Sequence, residues 1–145
     1  MADVVDKATR SRMMSGIRSR NTRPEIELRQ ALHWLGLRYR LHVRDLPGRP
    51  DIVFPRFRAV VQVHGCFWHR HEGCKFSSKP GTNTEFWSAK FLKNVERDAE
   101  TRGLLDQMGW RSAIVWECAI RTQGAGKVAP RLRDWLNGSE SRLEI

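Results

Sequence analysis

The hydrophobic pattern of this chain first becomes regular where leucines recur at helical spacing over residues 28–35. Residues 22–25 have the spacing of a capping box, with proline near the first helical position, and Gly36 provides a stop. We therefore expect a helix over residues 24–35. Glu25 shares a face with the leucines, so its carboxylate is either a helix cap or a polar group at the inward edge.

Four shorter segments have the composition and period of β-strands. Residues 39–43 alternate apolar and basic side chains, which is the pattern of a half-buried strand. Residues 51–54 and 59–64 predict two more strands joined by a short turn, the second apolar enough to be central. Residues 111–118 predict a fourth strand, centred on an apolar run at 113–116.

Residues 82–108 predict the longest helix, because a second capping-box sequence opens them and no proline interrupts them. The inward face of this helix is apolar, and consists of Phe91, Val95, Leu105 and Met108. Asp98 falls on the same stripe, an unusual place for a carboxylate unless it has a partner. A terminal helix is marked by Val128, Leu132, Trp135 and Leu136.

The elements follow the order helix, three strands, loop, helix, strand, helix. This order predicts an α/β fold with three layers, in which a mixed central sheet is flanked by helices. At 145 residues the chain has the size of one domain, and we take residues 1–145 as a single unit. Four tryptophans are assigned to packing, namely Trp34, Trp110, Trp116 and Trp135.

The composition is strongly basic. Lysine and arginine number 26 against 16 acidic residues, a net charge of +10 that attracts polyanions. Nucleic acid is the expected partner rather than a membrane, because no apolar run approaches the roughly 20 residues that span a bilayer. With no signal peptide, we expect a soluble intracellular protein. Residues 1–22 predict a basic DNA-contacting arm, with a solvated flexible terminus as the alternative.

Residues 64–74 concentrate two cysteines, three histidines and two large aromatic side chains in one loop. Cys66, His71 and Cys74 have metal-ligand spacing, and Cys118 follows downstream at a strand end. A set of three cysteines and one histidine closes a tetrahedron, as in a structural zinc site with one ion. His69 is an alternative to His71 on spacing alone. The other interpretation is that the thiols are buried core groups.

Pro50-Asp51 opens one predicted strand and Gln62-Val63-His64 closes the next, which together resemble the PD-(D/E)xK nuclease pattern. In that superfamily acidic residues and a lysine gather magnesium and an attacking water at a phosphodiester. Gln62 replaces an acid here and His64 replaces the lysine. The resemblance therefore implies that Mg²⁺ is held by Asp51 and a main-chain carbonyl. For Pro50-Asp51 alone, a turn before an ordinary strand is the alternative.

A larger set of motifs is similar to one family in detail. It comprises Asp3-Val4, Asp6-Lys7-Ala8-Thr9-Arg10, Pro50-Asp51, His64-Gly65-Cys66-Phe67-Trp68-His69, Thr84-Glu85-Phe86-Trp87, Lys93-Asn94-Val95-Glu96-Arg97-Asp98 and Trp116-Glu117-Cys118. The family is that of the very-short-patch repair endonucleases. The resemblance implies a restriction-endonuclease-like fold and strand-specific nicking of duplex DNA, 5′ of the thymine in a T:G mismatch left by deamination of 5-methylcytosine.

The same resemblance implies roles for individual residues. Asp51 and the main-chain carbonyl of Val63 would hold the catalytic magnesium, with two ions at the site. His69 would act as general base or proton shuttle, and Asp98 would orient it.

Glu25 and His64 would hold metal-bound waters, with helix cap and strand-end residue as their structural alternatives. Phe67, Trp68 and Trp87 would form a wedge that enters the duplex beside the mismatch, where stacking is already weak. Ordinary core packing is the alternative for these rings.

We interpret the chain as a magnesium-dependent, zinc-stabilised mismatch nickase, a monomer of the bacterial cytoplasm at the nucleoid, working with mismatch-repair and repair-polymerase partners. A noncatalytic zinc-stabilised DNA-binding module is one alternative, although it would have no use for the convergence of Asp51, His69 and Asp98. A restriction-type PD-(D/E)xK endonuclease is the other, and it should cut both strands as a dimer.

Overall fold

The computed structural model describes residues 21–75, 77 and 81–145, which form four α-helices and five β-strands. The helices are α1 (Arg23–Trp34), α2 (Thr84–Gln107), α3 (Glu117–Gln123) and α4 (Ala125–Asn137). The strands are β1 (Arg40–Leu41), β2 (Ile52–Phe54), β3 (Ala59–His64), β4 (Arg111–Trp116) and β5 (Arg142–Glu144). The arm predicted at residues 1–22 lies outside the described residues except for its last two.

The strands form one mixed sheet in the order β1-β2-β3-β4-β5. The pairs β1–β2 and β2–β3 are antiparallel, and the pairs β3–β4 and β4–β5 are parallel. A parallel pair needs a crossover connection, which the loop after β3 and helix α2 provide. Because β2 and β3 are antiparallel, the start of β2 lies beside the end of β3. Asp51, just before β2, is thereby placed near His64, which ends β3.

Helices cover both faces of the sheet, which confirms the three-layer α/β prediction. On one face, Leu28 of α1 and Leu132 of α4 pack with Val61 in the main core. On the other face, Leu105 of α2 packs with Val60. Side chains alternate between the faces of a strand, so neighbouring valines of β3 serve opposite layers.

Helix α1 matches the helix predicted at 24–35, and Thr22 caps it as predicted, while the Glu25 side chain reaches the residue before the cap. The hydroxyl oxygen of Thr22 accepts a hydrogen bond from the Glu25 N–H at 3.4 Å, and Glu25 Oε2 accepts one from the Asn21 N–H at 3.0 Å. The strand predicted at 39–43 is shortened to the two residues of β1. His42 has a φ of 49°, in the left-handed region, and this ends the extended strand.

Helix α2 confirms the prediction of a longest helix, but only part of its predicted inward face is correct. Phe91 and Leu105 are buried, whereas Val95 and Met108 are exposed. Leu105 packs with Val60 of β3, whereas Val95, in the middle of the helix, has no covering layer among the described residues. Met108 is the C-cap residue, beyond the last turn of the helix. The second capping box, at the start of α2, does not form, because Asn83 makes no side-chain cap hydrogen bond.

The packing assignment of the tryptophans is wrong for Trp34, whose residue surface is 89% exposed. It lies two positions after the buried Leu32, which on a helix places it about 200° around the axis. Trp116 and Trp135 are buried as expected, and Trp110 packs against the smaller core cluster beneath α2.

Two elements were not predicted. The strand predicted at 111–118 ends at Trp116, and α3 begins directly after it. Strand β5 joins the sheet edge through backbone hydrogen bonds, and the following residue, Ile145, donates its N–H to the Ile114 carbonyl at 2.9 Å. Three residues without an apolar run give little sequence signal.

None of the helices among the described residues is long and apolar enough to cross a membrane.

Candidate active site and metal centres

A cleft of roughly 570 Å³ opens where the start of β2 meets the end of β3. Five of the predicted site residues line it, namely Asp51, Val63, His64, His69 and Asp98. They come from the approach to β2, the end of β3, the loop after β3 and helix α2. Glu25 does not line the cleft, but it lies behind Asp51 on α1 and is only 2% exposed.

Asp51 is fixed by the end of the neighbouring strand. Its Oδ2 accepts a hydrogen bond of 2.7 Å from the Val63 N–H. Extending the β2–β3 register from Ile52 opposite Val61 places Pro50 opposite Val63. The N–H and carbonyl of one strand residue point toward the same neighbouring strand, so the Val63 carbonyl also faces this side. Proline has no N–H to offer that carbonyl, so it stays available to another partner.

The electrostatic environment of Asp51 is unfavourable for a carboxylate. Burial, followed by the neighbouring carboxylate of Glu25, raises the pKa of Asp51 to about 7, although the Val63 N–H and Arg29 act in the opposite direction. A bound cation would remove both penalties. The donor set and its charge therefore fit a hard divalent cation.

His42 completes this corner and is not among the site residues predicted from the sequence. Its Nε2 lies 3.1 Å from Glu25 Oε1, and its Nδ1 lies 3.8 Å from Asp51 Oδ1. The alternating pattern at 39–43 assigned His42 to solvent, but its left-handed conformation turns the ring inward. Glu25 Oε1 is buried and makes no hydrogen bond among the described residues. Two carboxylates and an imidazole thus converge, with ligand atoms all within 4.8 Å of one another.

Two histidines and a carboxylate form the opposite wall of the cleft. His69 Nδ1 lies 2.6 Å from Asp98 Oδ2, which gives the inward carboxylate of α2 a partner. The His69 ring stacks on the His64 ring with centroids 3.9 Å apart. His64 Nε2 donates to Gln62 Oε1 at 3.0 Å. Burial, followed by the neighbouring His69, lowers the pKa of His64 to about 3, so this imidazole is neutral.

Arginine side chains surround the cleft. Arg44 and Arg49 approach from the segment between β1 and β2, and Arg97 from α2, beside Asp98. All three residues are exposed. Guanidinium groups in such positions attract and bind phosphate groups. These arginines are not among the predicted site residues, because basic residues occur throughout this chain and give no local signal.

The thiols and one histidine form a separate cluster. The ligand atoms of Cys66, His71, Cys74 and Cys118 lie within 4.8 Å of one another, and Cys118 Sγ lies 3.4 Å from His71 Nδ1. Tetrahedral zinc with bonds of about 2.0–2.3 Å separates its ligand atoms by about 3.3–3.8 Å. The cluster therefore fits a metal ion of this kind. His71 is the histidine beside the thiols, whereas the spacing alternative, His69, lies beside Asp98.

Burial and the neighbouring thiols raise the pKa of Cys66 to about 12, and burial raises that of Cys118. A bound cation is needed to hold both groups as thiolates.

Trp116 connects this cluster with the cleft. Its ring stacks on His71 with centroids 4.1 Å apart and contacts the His64 ring edge-on with centroids 5.3 Å apart.

The predicted wedge residues lie together. Centroid distances are 5.1 Å for Phe67–Trp68, 5.7 Å for Trp68–Trp87 and 5.8 Å for Phe67–Trp87. All three residues are half-buried, whereas Phe86, which packs on Trp87, is 61% exposed. Phe86 thus belongs to this aromatic cluster, although it is not among the predicted wedge residues.

Cations border the same aromatic cluster. Lys90 Nζ lies 5.2 Å from the centroid of the Trp68 ring, and the Arg70 guanidinium lies 5.6 Å from that of Phe67. Asn94 donates a 3.1 Å hydrogen bond to the Trp68 carbonyl, which ties the loop to α2. The aromatic cluster, the cationic side chains that border it and the cleft therefore lie on one surface of the protein.

Comparison with known proteins shows the family of this chain. Residues 2–75 match the model of the family described as DNA mismatch endonuclease Vsr. The chain is 45% identical to the DNA mismatch endonuclease Vsr of Escherichia coli strain K12, over an alignment of 150 positions that covers 100% of this chain and 94% of the relative. It is also 45% identical to the type II nicking enzyme V.XorIIP of Xanthomonas oryzae pv. oryzae, covering 96% of this chain and 100% of that one.

A third relative is the type II nicking enzyme V.NmeAIP of Neisseria meningitidis, which is 38% identical over 123 residues, with coverage of 85% and 87%. Similarity at this level over nearly the whole length shows common descent. The chain therefore belongs to the Vsr family of DNA mismatch endonucleases.

Proposed function

We propose that this protein nicks one strand of duplex DNA at a T:G mismatch, hydrolysing the phosphodiester 5′ of the mismatched thymine with magnesium as the catalytic ion. Endonuclease action on DNA follows from membership of the family. The single observation that carries the finer proposal is the convergence of Asp51 with the His64, His69 and Asp98 wall across one arginine-lined cleft.

The metal-binding side of the cleft is formed by Asp51, through Oδ1, and by the Val63 carbonyl. The raised pKa of Asp51 and the convergence of Asp51, Glu25 and His42 support a cation at this corner. Magnesium bound there would polarise the phosphodiester and lower the pKa of a bound water. Glu25 and neutral His64 would form hydrogen bonds with the waters around the ion.

His69 is the proposed general base. Because Asp98 accepts from Nδ1–H, the neutral ring presents Nε2 as its proton acceptor. Asp98 fixes both the tautomer and the direction of the ring. Stacking on His64 adds a second constraint, so the proton acceptor has a defined position in the cleft.

The cluster of three cysteines and His71 is proposed to hold one structural zinc ion. All four ligands would be protein side chains, which leaves no open position for catalysis. The ion would brace the loop that carries Phe67, Trp68 and His69. A polar loop of this kind lacks a hydrophobic core of its own, so the zinc ion would stabilise its conformation and thereby the geometry of the site.

Selectivity for the mismatch is assigned to the aromatic cluster. Insertion of Phe67, Trp68 and Trp87 beside a base pair requires unstacking, which costs a few kcal/mol and less at a mismatch. The exposed edge of this cluster and its border of cations support the proposal. Action as a monomer at the bacterial nucleoid, with mismatch-repair and repair-polymerase partners, belongs to the same proposal.

The test is a nicking assay on duplexes labelled separately on each strand, with T:G or T:A at one position in a panel of flanking sequences. We expect a magnesium-dependent nick in the T strand of T:G duplexes alone, lost on chelation and in Asp51→Ala. Asp106→Ala is the matched control, because Asp106 lies on α2 in an exposed ion pair with Arg142, away from the cleft.

Each alternative has its own outcome. Duplex binding without any cut would favour a noncatalytic DNA-binding module. Cutting of both strands in T:A and T:G duplexes alike would favour a restriction-type endonuclease. Either result would overturn the proposed function.

A further inference from the structure

We propose that His42 is a third protein ligand of the catalytic metal ion, joining Asp51 and the Val63 carbonyl, and that its imidazole shifts the metal preference of this enzyme toward Mn²⁺. The inference rests on the proposed function, since it concerns the same metal site. It goes further because it adds a nitrogen donor to a site otherwise made of oxygen atoms.

The distances fit coordination. An octahedral ion with bonds of about 2.1 Å separates neighbouring ligands by about 3.0 Å and opposite ligands by about 4.2 Å. His42 Nδ1 lies 3.8 Å from Asp51 Oδ1, and His42 Nε2 lies 3.1 Å from Glu25 Oε1. Asp51 lines the cleft and Glu25 lies behind it, so Nδ1 is the nitrogen placed to bind an ion shared with Asp51.

The ring of His42 is held in place by its backbone. The His42 N–H donates to the Asp51 carbonyl at 3.2 Å, although the residue has a φ of 49°. A left-handed conformation is unfavourable for a residue with a β-carbon. The fold accepts this cost at the position that turns an imidazole toward two carboxylates.

A second observation points to a ligand. Glu25 is 2% exposed, and its Oε1 lies 3.1 Å from His42 Nε2, a close contact that lacks hydrogen-bond geometry. A buried carboxylate oxygen without an aligned donor is costly. A cation bound to His42 Nδ1 would fix the ring proton on Nε2, so that this N–H could donate to Glu25. A competing arrangement is a protonated His42 that only forms ion pairs with the two carboxylates and leaves the metal to oxygen ligands.

The two arrangements differ in metal selectivity. Imidazole nitrogen favours transition-metal ions, whereas Mg²⁺ prefers oxygen donors and near-ideal octahedral geometry. Removal of an imidazole ligand should therefore weaken Mn²⁺ binding much more than Mg²⁺ binding. Removal of a histidine that only pairs with the carboxylates should change both affinities alike.

The test uses the full-length, zinc-loaded protein with Mn²⁺ as the probe. Electron paramagnetic resonance gives the Mn²⁺ affinity, its pulsed form detects nitrogen bound to Mn²⁺, and competition gives the Mg²⁺ affinity. His42→Gln is compared with His33→Gln, the loss of an exposed histidine at the end of α1. His42→Asn is a second variant should His42→Gln fold poorly, and ¹⁵N-histidine labelling of the wild type identifies a histidine ligand without any substitution.

We expect a directly bound nitrogen in the wild type and His33→Gln that is lost in His42→Gln, with Mn²⁺ affinity lower by about tenfold or more and Mg²⁺ affinity lower by less than about threefold. An unchanged nitrogen coupling in His42→Gln, or equal losses for both ions, would overturn the inference.

Failure of the proposed function would be distinguishable. If the wild type nicks T:G duplexes while the nitrogen coupling persists in His42→Gln, only the role of His42 is wrong. If the coupling is lost in His42→Gln but neither ion supports nicking in the wild type, the ligand assignment stands and the proposed function does not.

Discussion

His64 and His69 stack face to face, with their ring centroids 3.9 Å apart and their planes within 8°. The two rings nevertheless have different partners. His69 is paired with the Asp98 carboxylate, whereas His64 is buried and bonded to the neutral amide of Gln62. Of the two stacked rings, His69 has a carboxylate as its partner, whereas His64 stays neutral. The first two predictions follow from this difference.

Stability should fall in acid because of His64. Its folded-state pKa of about 3 is below the value of about 6.5 expected in the unfolded chain, so between these values the unfolded state binds the extra proton. The free energy of unfolding should therefore fall with a slope that approaches about 1.4 kcal/mol per pH unit as pH falls below 6.5. His69, Asp98 and Arg102 are the charged or titratable groups that face this ring.

Denaturant unfolding between pH 7.5 and 4 measures this slope, and His64→Gln should reduce it. His33→Gln controls for the loss of an exposed histidine. An equal slope in the wild type and His64→Gln would show that His64 is not the group responsible.

Asp98→Asn should lower kcat by about 10²- to 10⁴-fold with little change in duplex affinity. An amide oxygen can still accept the His69 Nδ1–H, but it lacks the carboxylate charge, and the amide N–H₂ can instead donate to Nδ1 and so fix the wrong tautomer. Single-turnover nicking over a range of pH is the measurement, and its acidic limb should change in the variant. Asp106→Asn, on the same helix, should retain full activity. If Asp98→Asn only lowered thermal stability, its role would be structural.

Asp51→Asn should separate activity from stability. Loss of a metal ligand removes several kcal/mol of transition-state stabilisation, so nicking should fall by about 10²-fold or more. The raised pKa of Asp51 means that its contribution to stability is present below about pH 4 and is lost as pH rises through about 7. Without divalent ions at pH 8, the neutral variant should therefore have the higher melting temperature. A lower melting temperature there would contradict the unfavourable charge assigned to Asp51.

Cys118→Ser should lose the structural metal ion. We expect about one zinc ion per purified wild-type chain and much less in the variant, together with a lower melting temperature, because zinc binding contributes folding free energy. Metal analysis by mass spectrometry and thermal unfolding are the two measurements. Wild-type protein that contains no zinc would remove this account of the loop.

Trp68→Ala and Trp87→Ala should each weaken binding to T:G duplexes by about 10- to 100-fold, since base–aromatic stacking contributes about 1–3 kcal/mol per ring. Binding to matched duplexes should change less, and nicking selectivity should fall. Trp34→Ala is the matched control, because Trp34 is exposed on α1 and lies outside the aromatic cluster. Equal losses for matched and mismatched duplexes would indicate a role in packing alone.

The sequence by itself determined the elements whose signal is local. Helix α1, strand β3 and the length of α2 follow from hydrophobic period and from the absence of breakers. The cysteine spacing predicted a metal cluster, and the position of Asp98 on an apolar stripe predicted a partner for its carboxylate. These features depend on residues close together in the chain, where side-chain direction is set by the local backbone.

Only the tertiary structure decided which groups meet. It placed His71 with the thiols and His69 with Asp98, although spacing allowed either histidine as a ligand. It turned His42 inward through a left-handed backbone and left Trp34 outside. Such outcomes depend on contacts between segments far apart in sequence and on single dihedral angles, and neither leaves a periodic pattern in the chain.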